Sequence, residues 1–123
     1  MVEPKTLGFE QIRGERLSGL FAPHITGLTR FVEELRQMKG TDFHIPYFDP
    51  HDGGVQAKVL FLLEAPGPKA KGSGFVSRDN PDETAKNVRT MSREAGLNRT
   101  DFVIWNVCPW YVGTLVRWYA ITD

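Results

Sequence analysis

Hydrophobic positions along this chain follow two kinds of pattern. One is the unbroken run Val59-Leu60-Phe61-Leu62-Leu63, closed at once by Glu64-Ala65-Pro66-Gly67-Pro68. A short apolar run bounded by Pro and Gly predicts a fully buried strand whose carboxyl end feeds a tight turn. A second run, Phe102-Val103-Ile104-Trp105, ends at Asn106 with Pro109 close behind, and predicts a second buried strand. The other pattern is helical. From Thr26 to Met38, the residues Leu28, Phe31, Val32, Leu35 and Met38 recur at three- and four-residue steps, and Gly40 supplies a stop. Between the two runs a further helix is predicted over about 81–95. Asn80 can cap it, Pro81 suits its first position, Asp82 and Glu83 suit its positive end, and Ala85, Val88, Met91 and Ala95 form a stripe closed by Gly96.

Strand, helix and strand with a connection of this length make a right-handed parallel crossover. Glu64 and Asn106 then share one edge of the sheet, where open α/β sheets bind their ligands. The segment from Ala65 to Arg78 is expected to be a flexible loop that carries Phe75 together with Lys69, Lys71 and Arg78, with no acid before Asp79. Such a loop suits a phosphate-rich ligand with a stackable ring. Residues 43–54 (FHIPYFDPHDGG) crowd Pro46, Pro50, Gly53 and Gly54 around aromatics and read as an ordered loop. In residues 1–24, Gly8, Gly14, Gly19 and Pro23 interrupt any long helix.

With 123 residues, 41% of them hydrophobic, the chain has room for one domain with one modest core. Lys plus Arg and Asp plus Glu both number 15, so any electrostatic footprint has to be local, as in the 65–78 loop. A lone Cys108 excludes an internal disulfide and an all-Cys metal or iron-sulfur site, fits a reducing compartment, and reads as a small buried apolar residue. No apolar stretch reaches the ~18 residues of a membrane span and none resembles a signal peptide, so a cytoplasmic location is expected. His44, Asp49, His51 and Asp52 surround Pro50 at spacings that fit no standard ligand pattern; they read as solvated loop residues, and no metal or other cofactor is expected. Gly67 to Ser73 nearly spells a phosphate-binding loop, the mark of a nucleotide-binding protein. It lacks the Lys after its second Gly, Pro68 removes a backbone donor, and the next helix is expected only near residue 81.

Taken in order, Leu63-Glu64-Ala65-Pro66-Gly67, Gly74-Phe75-Val76 and Trp105-Asn106-Val107 resemble the motifs of the uracil-DNA glycosylase superfamily, in particular its members with a Gly-Glu-Ala-Pro-Gly type of first motif. The resemblance spans roughly positions 45–113. It implies a three-layer α/β/α fold with a parallel sheet, and hydrolysis of the N-glycosidic bond of a uracil or damaged base flipped out of DNA. It further implies that Glu64 and the backbone of Ala65, Pro66 and Gly67 hold the attacking water, that Phe75 stacks on the base, and that Asn106 reads the base's pairing edge. An anionic group stabilises the positive charge that builds on the sugar, an aromatic face takes any flat base, and an Asn offers both a donor and an acceptor. Lys69, Lys71 and Arg78 would hold the flanking DNA phosphates.

The sequence departs from the family in three ways. Ala65 precedes Pro66 where several branches place Asp or Asn; only Cys108 stands where the iron-sulfur branch needs four cysteines; and no histidine follows His51, although the family's last motif contributes one. The tail from Gly113 to Asp123, with Trp118 and Tyr119, does not resemble a planned ending. The expectation is therefore an incomplete, amino-terminal part of a glycosylase-like fold. It should have little excision activity of its own, and an exposed sheet edge should invite self-association. A non-catalytic, DNA-binding remnant is the rival reading.

Overall fold

A computed structural model describes residues 5–113. The chain is α/β. Helix α1 (Glu10–Leu17) and helix α2 (Thr26–Lys39) precede strand β1 (Tyr47–Phe48); strand β2 (Val59–Leu63), helix α3 (Pro68–Ser73), strand β3 (Phe75–Val76), helix α4 (Glu83–Glu94) and strand β4 (Phe102–Asn106) follow. The tail with Trp118 and Tyr119 lies outside the described residues. No helix among the described residues is long and apolar enough to cross a membrane.

Strands β2 and β4 pair in parallel, from Val59 opposite Phe102 to Leu63 opposite Asn106. Two further bonds carry the ladder past the strand ends, Val107 N–H to Leu63 O at 2.8 Å and Cys108 N–H to Glu64 O at 2.9 Å. The single parallel sheet expected from the sequence is, among the described residues, two sheets of two strands each, β2–β4 and β1–β3. β1 and β3 have only two residues each and pair in parallel with one another, Tyr47 opposite Phe75 and Phe48 opposite Val76. β1 meets β4 through side chains instead, with Phe48 stacked on Trp105 at a ring separation of 4.0 Å.

Period-2 alternation gives β4 two apolar faces. Phe102 and Ile104 pack with Val76 and with Val88 of α4, while Val103 and Trp105 pack with Ile25, Phe48 and Val32 of α2. Helices thus cover β4 on both sides. β2 is less enclosed than a fully buried strand: Phe61 and Leu63 face the α4 side, but Leu60 and Leu62 are 56% and 55% exposed because α2 lies over β4 rather than β2. A third cluster, Leu7, Leu20 and Phe75 with Ile12 and Tyr47, seals the β1–β3 sheet beneath the amino-terminal segment.

α2 runs as the spacing predicts, closed by Gly40 at φ +87°. α4 starts two residues later than expected, at Glu83. Asp82 is its cap and accepts from Ala85 N–H at 2.8 Å, because the Asn80 amide is committed to Phe75 O. Its buried stripe is Ala85, Val88, Arg89 and Ser92, rotated from the predicted one, with Met91 53% exposed. The 65–78 segment is not a flexible loop, since α3 and β3 both fall within it. α3 also begins directly after the β2 turn, closer to a phosphate-loop layout than the sequence suggests. Pro68 at its start still removes a donor, and the Lys after the second Gly is still missing.

Candidate functional site

The carboxyl ends of β2 and β4 open into a pocket of about 100 Å³. Ala65, Pro66 and Gly67 form one wall, Asn106 another, and Ser77 and Asn80 a third, with Val88 and Ile104 at the apolar floor. The volume corresponds to about three waters, and suits one small planar ring rather than a drug-sized ligand, which needs about 300–1,000 Å³. Asn106, the last residue of β4, is 2% exposed, and its Oδ1 is fully buried and accepts nothing from the protein. A buried acceptor without a donor costs about 1–3 kcal/mol.

Three of the expected site residues and the amide meet here: Ala65, Pro66, Gly67 and Asn106. Others do not. Glu64 is exposed and outside the lining, because strand alternation continues through it: Leu60, Leu62 and Glu64 face outward while Leu63 and Ala65 turn toward the pocket. Phe75 presents no accessible ring face. It is 0% exposed, packed among Leu7, Leu20 and Tyr47, and the flat surface expected to stack on a base is core. The three cations do not form one patch. Lys69 and Lys71 are exposed on α3, and Lys71 Nζ lies 5.1 Å from the centre of the Tyr111 ring. Arg78 is half-buried with its guanidinium over Phe102; burial, and next the charge of Arg99, lower its pKa from the usual value. A larger, open cavity of about 620 Å³ lies elsewhere, between α2 and α3, and is lined by Phe43, His44, Arg36 and Lys71. It shares no lining residue with the smaller pocket.

Beneath the pocket lies a buried charge cluster that no local sequence signal announces. Asp49 and Asp52 are each 1% exposed, and so are not the solvated loop residues expected of them. Arg99 bonds Asp49 at 2.6 Å, Asp79 at 2.8 Å and Asp52 at 2.9 Å, while Arg16 of α1 pairs with Asp49 at 2.8 Å and Asp79 at 3.1 Å. Ser77 Oγ donates to Asp49 and accepts from Asp79 N–H, and Asp49 also accepts from His51 N–H. Three carboxylates thus face two guanidiniums, and one of them, Asp52, has an Oδ2 that accepts nothing. Burial, and next the charge of Asp49, push the Asp52 carboxyl well above its ordinary value. Burial works against the charge of Arg99, but Asp49, Asp52 and Asp79 outweigh it and raise its pKa further. Partial burial and then the Arg16 charge hold the His51 imidazole below its usual value.

The cluster ties α1, the turn after β1, the segment after β3 and the 3-10 turn Arg99–Asp101 into one piece, and so fixes the backbone that carries Ser77 and Asn80. Two glycines admit this packing. A Cβ on Gly53 would meet Thr100 O at 2.0 Å, and Gly54, at φ +57°, would meet His24 O at 2.0 Å. Among the described residues no group of His, Cys, Asp and Glu is arranged to hold a metal ion. Comparison with known proteins finds no family model, no curated protein and no solved structure that matches the chain.

Proposed function

We propose that this protein is a uracil-DNA glycosylase-like domain that takes a flipped uracil, or a related damaged pyrimidine, into the pocket at the ends of β2 and β4. One observation carries the reading: the unpartnered Oδ1 of Asn106, buried in a ring-sized pocket beside the Ala65-Pro66-Gly67 turn. A uracil offers an N–H next to two carbonyls on its pairing edge, and an amide meets that edge with one acceptor and one donor. Only a base taken out of the stack can reach so enclosed a group. Helices on both faces of β4 support a three-layer arrangement of the glycosylase type.

In the reaction, a water oxygen bonds to the sugar C1′ as the C1′–N1 bond breaks, and the electron pair leaves with the base; the water then gives up a proton, leaving a sugar hydroxyl, and the base takes one up at N1. The turn at 65–67 lines the pocket and supplies main-chain groups to hold that water, while Glu64, exposed at the strand end and outside the lining, contributes only a longer-range negative charge toward the sugar cation. Asn106 holds the base and shares the charge that it gains. Phe75 acts from behind the wall: its carbonyl anchors Asn80, and its ring fixes the core under the pocket. Lys69 and Lys71 are the cations left exposed for DNA phosphate.

A second reading, base binding without turnover, is favoured by the histidines. None of His24, His44 and His51 lines the pocket, so none is placed to stabilise a departing base. The test is a pair of assays on a single-stranded oligonucleotide with one uracil: binding by fluorescence anisotropy and excision by alkaline cleavage. The proposal expects tighter binding than to the cytosine counterpart, whose ring N3 is an acceptor where uracil has an N–H, with Asn106→Ala removing about 10-fold of that difference. Binding without excision selects the second reading. Equal affinity for the two oligonucleotides, untouched by Asn106→Ala, would overturn both.

A further inference from the structure

The pocket holds a second amide that motif reasoning does not use. Asn80, just before the cap of α4, is 3% exposed and lines the same wall as Ser77. Its Nδ2 donates to Phe75 O at 2.9 Å, which fixes the orientation of the amide, since the reverse placement would set two oxygens against each other. Oδ1 is therefore the atom left over, and like Asn106 Oδ1 it is fully buried and accepts nothing from the protein. Of the other polar side chains in the lining, Thr84 is exposed and makes no bond to either oxygen, and the remaining two are engaged. Ser77 Oγ is held by Asp49 and Asp79, and Asp82 caps α4. Two buried acceptors thus border one small pocket, and any donor for them has to come from what enters it.

We infer that Asn80 is a second base-binding residue, and that the pocket is built for a small planar heterocycle that donates two hydrogen bonds, one to Asn106 Oδ1 and one to Asn80 Oδ1. This rests on the base-binding reading above and deepens it. Uracil attached to a sugar has one ring N–H, whereas released uracil has two, at N1 and N3. A pocket with two acceptors therefore holds the free base better than the attached one, and the second donor appears only once the departing base has taken up a proton at N1, after the glycosidic bond has broken. Asn80 accordingly contributes to holding the product and to discriminating against rings with one donor. Both oxygens are buried at the pocket wall, so a small shift of the residues around them accompanies entry.

The experiment is a calorimetric titration of the full chain with uracil, 1-methyluracil and 3-methyluracil, each methyl group removing one N–H. The expected result is that uracil binds about 10-fold more tightly than either methylated ring. Asn80→Ala should weaken uracil binding by a similar factor while leaving one of the two methylated rings unaffected, and Asn106→Ala should do the same for the other isomer. A merely structural role for Asn80 would weaken all three ligands alike, and that result would overturn the inference. The comparison of the three rings on the wild-type chain needs no variant to fold. If wild type binds both methylated rings as tightly as uracil, the two-acceptor account is wrong. Loss of uracil binding in Asn106→Ala but not in Asn80→Ala defeats this inference and leaves the base-binding reading standing; uracil binding indifferent to both, or absent, defeats both.

Discussion

Replacing Arg99 with Met removes the hub of the buried cluster while keeping most of its apolar stem. Three ion pairs, at 2.6, 2.8 and 2.9 Å, are lost together; Asp49 and Asp79, with side chains 0% and 2% exposed, keep Arg16 as their ion-pair partner, and Asp52, 0% exposed, keeps none. Removing one partner from a buried pair costs about 3–5 kcal/mol, because the partner left behind stays desolvated and uncompensated. Against a total stability of about 5–15 kcal/mol the domain is left marginal. At about 3–5 °C per kcal/mol for a chain of this size, its midpoint should fall by about 10–20 °C. The loss should depend on pH, and its sign follows from the carboxylates. Burial already raises the Asp52 carboxyl above the unfolded value of about 3.9, and without the opposing charge of Arg99 it rises further. A raised carboxyl pKa leaves stability intact below the unfolded value and removes it as pH climbs through the folded one. Urea denaturation of both proteins at pH 4.5 and pH 8 measures this, with the midpoint reporting stability and the slope checking that the transition is unchanged. A loss under about 1 kcal/mol at pH 8, or a larger loss at pH 4.5 than at pH 8, would refute the reasoning.

Asp52→Asn keeps the acceptor for Arg99 Nε but removes the one carboxyl that its neighbours drive toward the neutral form, so stability should decline less steeply between pH 4 and pH 8 than in wild type; an unchanged slope in the same titration tells against that assignment. The lowered pKa of His51 acts in the opposite sense, with stability lost as pH falls below the imidazole's ordinary range, and is untouched by this variant. Gly53→Ala should cost about 1–3 kcal/mol in urea, since the added Cβ meets backbone at 2.0 Å; wild-type stability would mean that the turn is not wedged against Thr100. Asp82→Ala should lower stability by about 1 kcal/mol through the lost cap, with α4 amides exchanging faster with solvent. Uniform exchange rates across α4 would show that the cap is not made.

Local pattern carried the elements whose cause is local. β2 and β4 end where their apolar runs end, and the crossover between them places Asn106 beside the Ala65–Gly67 turn, as strand–helix–strand connectivity requires. Where two sequence signals competed, tertiary contacts decided: Asn80 and Asp82 are both good caps, and the bond from Asn80 to Phe75 O leaves the cap to Asp82. β1 and β3, at two residues each, are too short for any periodicity to reveal. The charge cluster was illegible for a different reason. Arg16 and Asp49 are 33 positions apart and Arg99 and Asp49 are 50 apart, and nothing near any of them marks it as buried. By its sequence neighbours Phe75 looks like a binding surface, because the residues that bury it, Leu7 and Leu20, belong to a segment with no clear pattern. The orphaned oxygen of Asn80 follows from a bond that only the folded chain makes.

The measurement that bears most directly on the base pocket is a chemical-shift map of the chain titrated with a uracil-containing oligonucleotide and, separately, with its cytosine counterpart. The account predicts that the side-chain amide signals of Asn106 and the backbone signals of Ala65 and Gly67 move with uracil DNA and much less with cytosine DNA. Shifts confined to Lys69, Lys71 and their neighbours, identical for the two oligonucleotides, would contradict it.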